Sequence, residues 1–308
     1  MNYIIPDINR LKEVVRIAAN TPFESIEPYI NDAADIYLIP NIGADIYGLA
    51  EQGTDVNLVD NVRRALGPLA MALAIGELSV LIGDGGLTVQ NEQGKRSPAN
   101  EAKIAAAKEN LFKRGMYALD RLLDYLRKNL TLYPDYAAWL ESVEDVGCII
   151  TSADDYQEAG GVDIGRSALT YRTLLPSLKQ LQETELLALL PESVHEILFK
   201  SKGDCDVAEL RVKLLAKRFL ANRCAEIYSS QTSRQQRGDI GTHPEFQPLF
   251  RPLYTDLSDT GNWYGRQATY YKSSLLAYIE GHPEIFDIDP AAPMNYNGKD
   301  KKIFTSLA

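Results

Sequence analysis

The amino-acid sequence predicts an all-α protein, with a small β-hairpin or arm, built from two tandem, internally duplicated helical bundles. Three observations support this prediction. Apolar residues recur at helical spacing through most of the 308 residues. A local pattern occurs twice in the same order, as in proteins with an internal repeat. The run Leu87-Thr88-Val89 alternates like a strand and lies between glycine-rich turns.

The repeat is clearest around two prolines. Four positions have the same spacing in each half: Phe23, Ile26, Pro28 and Ile30 match Tyr171, Leu174, Pro176 and Leu178. Ser25 and Thr173 each lie three residues before the proline. A Ser or Thr there can cap a helix by accepting a backbone N–H, and a proline in the first turn costs no hydrogen bond. We therefore predict that Ser25 and Thr173 begin equivalent helices.

The later part of each half repeats as well. Leu122-Leu123-Asp124-Tyr125-Leu126 matches Leu275-Leu276-Ala277-Tyr278-Ile279, and a proline follows each run. The starts also agree, because Ile4-Ile5 and Ile149-Ile150 each precede a polar helix start. Several matches in the same order favour a duplication of one helical unit.

These matches divide the chain into residues 1–145 and 146–288, followed by a C-terminal extension, 289–308, without helical periodicity. The helices predicted in the first unit are Ile8–Ala19, Ile26–Leu38, Ala44–Glu51, Val56–Leu81, Ala99–Asn129 and Pro134–Ser142. Gly67-Pro68 lies inside the fourth range, where a proline should bend or divide the helix. The arm Gly83–Ser97 separates the two long helices, and Ser229–Thr255 is its counterpart in the second unit.

Composition limits the classes of function. With 42 acidic and 32 basic residues the net charge is −10, which argues against general nucleic-acid binding but leaves a local phosphate contact open. Three widely spaced cysteines predict free thiols in a reducing compartment rather than disulfides or a zinc site. We expect no membrane span and no signal peptide, and hence a cytoplasmic protein.

Motifs that would carry catalysis are incomplete. Gly83-Asp84-Gly85-Gly86 lacks the Gly-Lys-Ser/Thr ending of a phosphate-binding loop, and it follows a predicted helix. His195-Glu196 resembles the start of a zinc-protease motif, but Phe199 stands where the second histidine is needed. We therefore expect no catalytic residue, no metal ion and no cofactor.

Candidate contact residues lie on the two segments between the long helices. The candidate partner contacts are Leu87, Thr88, Val89, Arg234, Arg237 and Arg251. The arginines form a local basic concentration that can touch an acidic protein surface or a phosphate backbone. The alternative is a solvated loop.

Two carboxylates are candidates for buried ion pairs. Glu77 lies one turn from apolar positions, and Arg114 or Lys113 on the other long helix can supply its partner. Glu226 occupies nearly the same place in the second unit, with Arg266 as its candidate mate. The alternative is that each glutamate lies at a helix edge and reaches water. Either role is structural.

Several motifs resemble an uncharacterised family that we associate with gut-bacterial genomes and their prophages. They are Phe23-x-x-Ile26-x-Pro28, Leu38-Ile39-Pro40-x-Ile42-Gly43, Tyr47, the Gly-Gly-x-Thr-Val arm and the Leu-Leu-Asp-Tyr-Leu helix. The layout is also similar to tailed-phage head–tail connector (adaptor) proteins, which are small helical bundles that assemble as rings under the portal. That resemblance implies a portal or connector partner, or self-assembly, and a place in the virion. A duplicated chain is longer than a single-unit adaptor, which leaves the ring stoichiometry open.

The sequence therefore favours a non-enzymatic structural or assembly protein, of the head–tail connector kind. Two alternatives remain at this point. One is a helical small-molecule-binding protein or enzyme with a pocket between the bundles, which requires convergent polar groups. The other is a host scaffold module.

Overall fold

The computed structural model describes residues 4–17, 21–77, 80–83, 86–89, 101–144, 147–236 and 257–286. The all-α prediction is confirmed, because the described chain is helical apart from one short two-stranded hairpin. The chain divides into two compact units, Met1–Val143 and Glu144–Ala308. None of the described helices is long and apolar enough to cross a membrane.

Unit one is organised around two long helices. Its helices are α1 (Ile8–Lys12), α2 (Glu27–Ala33), α3 (Ile39–Ile42), α4 (Ala44–Gln52), α5 (Val56–Glu77), α6 (Glu101–Lys128) and α7 (Pro134–Glu144). A 3-10 turn, Phe23–Ser25, precedes α2, and a π-helical segment, Ala34–Leu38, joins α2 to α3. Of the two expected outcomes at Pro68, a bend or a division, the division does not occur, because α5 continues through the proline.

Helices α5 and α6 run antiparallel. Asp55, just before α5, accepts a hydrogen bond from Tyr133, which lies in the turn after α6, whereas Leu69 in mid-helix packs against Gly115. The fully buried leucines of these two helices are Leu58, Leu66, Leu69, Leu119, Leu122, Leu123 and Leu126. Burial of this apolar stripe provides the main driving force for folding the unit.

A hairpin lies between α5 and α6 in the chain. Strand β1 (Val80–Gly83) pairs antiparallel with β2 (Gly86–Val89), with Val80 opposite Val89 and Gly83 opposite Gly86. The helix predicted to reach Leu81 ends at Glu77, because residues from Val80 onward pair as strand.

Unit two has the same kind of core. Its helices are α8 (Ala153–Glu158), α9 (Ala168–Leu181), α10 (Glu192–Phe199), α11 (Val207–Gln236), α12 (Leu257–Glu280) and α13 (Pro283–Phe286). The long helices α11 and α12 are antiparallel, since Glu226 lies against Gly265 and Arg218 stacks over the Tyr271 ring. Leu220, Leu275 and Ile279 are fully buried in this core.

The predicted helix start at Thr173 is wrong. Helix α9 begins at Ala168, where the Ser167 hydroxyl accepts the Thr170 N–H at 3.1 Å. Thr173 lies inside the helix and donates its hydroxyl to the Leu169 carbonyl. Ser25 does not cap either, because it ends the 3-10 turn and the N-cap of α2 is Ile26. The earlier serine cap lets α9 extend by more than a turn upstream of Pro176.

The two units nevertheless share further features in the same chain order. A π-helical segment begins six residues after each proline: Ala34–Leu38 follows Pro28, and Gln182–Leu187 follows Pro176. A π segment holds one extra residue per turn and is rare in proteins.

The short first helix of each unit also has a matching start. Asp7 accepts the Asn9 and Arg10 N–H groups at the start of α1. Ser152 accepts the Asp155 N–H at the start of α8. Both caps follow a pair of buried isoleucines, Ile4-Ile5 in unit one and Ile149-Ile150 in unit two.

Candidate functional site

One ion-pair cluster of unit two joins three side chains. Arg223 on α11 donates to both carboxylate oxygens of Glu185, with Nε–Oε2 at 2.9 Å and Nη2–Oε1 at 3.0 Å, and donates Nη1 to Glu226 Oε2 at 2.6 Å. The hydrogen bond to Glu185 is the largest of the effects that raise the pKa of the guanidinium. Bidentate pairing of this kind fixes geometry as well as charge. The cluster ties the π segment of unit two to α11.

This cluster corrects the predicted pairing of Glu226. Its partner is Arg223, three residues earlier on the same helix, and Arg266 is exposed on α12. The residue of α12 that faces Glu226 is Gly265, where an added Cβ would lie 2.6 Å from Oε1. Glu226 therefore packs against the backbone of Gly265, and its ion-pair partner is Arg223 on its own helix.

Of the predicted Glu77–Arg114 pair, the structure describes the side chain of Arg114 only. Arg114 donates Nη2 to the Val14 carbonyl at 2.8 Å, so its described partner is backbone rather than a carboxylate. This bond ties α6 to the segment that follows α1. The side chain of Glu77 lies outside the described residues.

The predicted partner contacts fall largely outside the described side chains. Leu87, Thr88 and Val89 belong to β2, whose backbone pairs with β1. Arg234 lies in α11 without a described side chain, and Arg237 and Arg251 lie outside the described residues.

A hydrogen-bonded tyrosine cluster closes one end of unit one. Tyr133 donates its hydroxyl to Asp55 Oδ2 at 2.6 Å, and its oxygen lies 2.9 Å from the Tyr125 hydroxyl. Asp55 Oδ1 accepts the Asn57 and Leu58 N–H groups and so caps α5. The Tyr133 hydrogen bond is the main cause of a lowered Asp55 pKa, and burial raises the pKa of Tyr133.

This cluster predicts a pH dependence of stability. The Asp55 pKa is lowered on folding, so its contribution is present above the ordinary value of 3.8 and is lost as the pH falls through the folded value. We expect Tyr133→Phe to lower the unfolding free energy by about 1–2 kcal/mol at pH 7 and by less at pH 3. Urea unfolding at both pH values measures this, and an equal loss at both would contradict the role of the charged carboxylate.

The described histidines form hydrogen bonds with backbone carbonyl groups. His195 Nε2 lies 2.9 Å from the Leu187 carbonyl and 3.0 Å from that of Leu190, and His282 Nδ1 lies 2.8 Å from the Tyr278 carbonyl. Across the described residues there is no group of three or more His, Cys, Asp or Glu side chains that could hold a metal ion. These contacts give both histidines a structural role at the ends of helical segments.

The three cysteines are free and differ in accessibility. Burial raises the pKa of Cys148 and raises that of Cys224 to about 12, whereas Cys205 is partly exposed. The thiolate is the reactive form, so a buried thiol with a raised pKa reacts slowly.

We expect iodoacetamide to modify Cys205 in the native protein at pH 8 at least tenfold faster than Cys148 or Cys224. Peptide mass spectrometry over a time course measures the three rates separately. All three should react in urea, and rapid native labelling of Cys224 would contradict the described core of unit two.

The outward faces of α6 and α12 carry the most exposed aromatic side chains of these helices. Tyr117 on α6 is 62% exposed and Tyr270 on α12 is 63% exposed. A basic residue precedes each by four positions, Lys113 in unit one and Arg266 in unit two, and both are exposed. Each tyrosine also lies five residues before the repeated Leu-Leu pair. Sequence reasoning missed this match, although the shared spacing was its signal.

Each of these two tyrosines has a second exposed side chain nearby on the same helix. In unit one, Arg121 lies one turn after Tyr117 and is exposed, which completes a basic–tyrosine face of Lys113, Tyr117 and Arg121. In unit two, Trp263 is 42% exposed and lies about two turns before Tyr270. Tyrosine, tryptophan and arginine are the residues most enriched at energetically important positions of protein interfaces. Both faces therefore contain residue types that are common at protein interfaces.

A family model matches part of the chain. A model described as a family of unknown function, DUF6712, matches residues 27–139, just over a third of the chain and all within unit one. The matched stretch begins at the first residue of α2 and ends within α7, so it includes the basic–tyrosine face. No curated protein and no solved structure matches the chain.

Proposed function

We propose that this protein is a non-enzymatic structural component that assembles into a ring, as head–tail connector proteins of tailed phages do. The observation that carries the proposal is the recurrence, in two units of one chain, of an antiparallel pair of long helices with an exposed tyrosine at the same position. One chain then presents two similar protein-binding faces.

Two similar faces on one chain favour repeated contacts. Homo-oligomers with head-to-tail contacts close into rings when the rotation between neighbours allows it. Tyrosine is one of the residues most enriched at the energetically important positions of protein interfaces. The proposed ring would bury these tyrosines between neighbours.

The hairpin offers a second kind of contact. In the described chain, β1 and β2 form a sheet of only two strands, and such a hairpin is marginally stable by itself. The outer edge of a two-stranded sheet has backbone groups that can pair with a strand of another protein. We propose the hairpin as the element that meets a neighbouring particle component, such as a portal.

Negative-stain imaging of the purified chain tests the proposed function. We expect ring-shaped particles of uniform diameter at micromolar concentration. A matched preparation of Tyr117→Ala with Tyr270→Ala should contain far fewer rings while keeping its helical circular-dichroism spectrum. Isolated small particles at every concentration would contradict a ring-forming role.

A further inference from the structure

We infer that the assembly contact is head-to-tail, with the basic–tyrosine face of α6 in one copy bound to an acidic face on α2 in the next copy. This inference rests on the proposed function and deepens it, because it names the partner of one face as a second copy of the same chain. Two observations carry it: the composition of each face and their complementarity.

The basic–tyrosine face points away from the core of unit one. Lys113, Tyr117 and Arg121 follow one another at intervals of four residues, so they lie on one side of α6. The core positions of the same helix are Leu119, Leu122, Leu123 and Leu126. Lys113 pairs with Glu109 one turn earlier on the same side of α6, so its charge is partly compensated and Arg121 is the cation of the face without a described ion pair.

The acidic face lies on α2 and its neighbouring segments in the same unit. It comprises four exposed carboxylates: Glu24, Glu27, Asp32 and Asp35. None of the four forms an ion pair with another described residue. Beside Asp35 lies Ile36, which is 44% exposed although its neighbours Tyr37 and Leu38 are buried. The face thus combines unpaired negative charge with an exposed apolar side chain.

The two faces complement each other in both charge and polarity. Opposite charges across an interface steer association and fix its register, while like charges in contact cost several kcal/mol. Tyr117 and Ile36 can supply the apolar centre that the rim of charges surrounds. A ring requires each copy to use its two faces on two different neighbours, which makes the contact heterologous, whereas a two-fold dimer would pair both faces with the same neighbour. Screening by salt should weaken it.

Charge reversal of each face tests the inference. Variant A carries Lys113→Glu and Arg121→Glu, and variant B carries Asp32→Lys and Asp35→Lys. We expect each variant alone to self-associate roughly a hundredfold more weakly than the wild type in light scattering, because like charges then meet. An equimolar mixture of A and B should regain assembly, since each reversed face then meets an opposite charge.

A matched control carries Lys202→Glu and Arg211→Glu, two exposed cations of unit two, and should assemble like the wild type. Circular dichroism checks that every variant is folded. Rings that persist unchanged in A and B would overturn the inference and leave the proposed function standing. Open chains that respond to both reversals would overturn the ring and leave the inference standing.

Two further outcomes would overturn the inference. The first is that A and B both lose assembly and their mixture does not recover, because the two faces then do not bind each other. The second is that the wild type stays monomeric but binds a DNA duplex in a manner abolished in variant A. That result would assign the basic–tyrosine face to a nucleic acid.

Discussion

Gly43→Ala is expected to destabilise unit one by about 2–4 kcal/mol. Gly43 joins α3 to α4 with φ +83° and ψ 153°, a conformation that side chains rarely adopt and that costs about 1–3 kcal/mol for other residues. An added Cβ would also lie 3.1 Å from Cδ1 and Cγ of Trp139 on α7. The indole ring packs directly on this backbone joint, so it has little room to give way.

Gly48→Ala is the matched control for this prediction. Gly48 lies five residues later within α4, and nothing is within 4 Å of an added Cβ there. Alanine should stabilise the helix at that position by about 0.5–1 kcal/mol. Urea unfolding followed by Trp139 fluorescence, in a Trp263→Phe background, measures both changes. If Gly43→Ala were as stable as the wild type, the described joint between α3 and α4 would be wrong.

Truncation of the repeated leucines is the second prediction with a large effect. Leu122 in α6 and Leu275 in α12 are both fully buried, and they occupy the same place in the Leu-Leu-x-Tyr run of each unit. Replacement by alanine should cost about 2–5 kcal/mol at each site, from lost burial and the cavity that remains. Leu122→Ala should lower the unfolding transition reported by Trp139, and Leu275→Ala the one reported by Trp263.

An exposed leucine gives the control for these truncations. Leu132 lies in the turn after α6 and is 66% exposed. Leu132→Ala should change the unfolding free energy by less than about 0.5 kcal/mol. A cost at Leu275 no larger than that at Leu132 would contradict the described core of unit two.

Much of the fold could be predicted from the sequence because apolar periodicity is a direct consequence of burial. The long helices and the class of fold followed from it. The predicted helix start at Thr173 is wrong because Ser167, a serine cap upstream, starts the helix earlier. The π segments could not be predicted, since one extra residue in a turn leaves little trace in a local pattern.

The candidate sites were harder to predict than the fold. Glu226 had two arginines within reach of a plausible helix face, and the sequence alone did not show that Gly265 rather than Arg266 would face it. Arg114 donates to the Val14 carbonyl, and no sequence pattern predicts a backbone partner of this kind. The exposed tyrosines were detectable in principle. Tyr117 lies off the stripe defined by Leu119, Leu122 and Leu126, and Tyr270 repeats its spacing.

The acidic composition bears on how copies of the chain would associate. The net charge of −10 argues against a general nucleic-acid coat, but four exposed acidic side chains of unit one, Glu24, Glu27, Asp32 and Asp35, lie close together in the sequence. The basic–tyrosine face lies in the same unit. A chain with both faces can recognise copies of itself while its overall charge opposes non-specific association.

The molar mass of the wild-type chain, measured by light scattering over a range of concentrations at low salt, tests the central claim most directly. Assembly into a closed ring predicts a mass that rises from 34.3 kDa and then stays constant at a whole multiple of that value. A mass of one chain at every concentration would contradict the proposed ring and the proposed contact together.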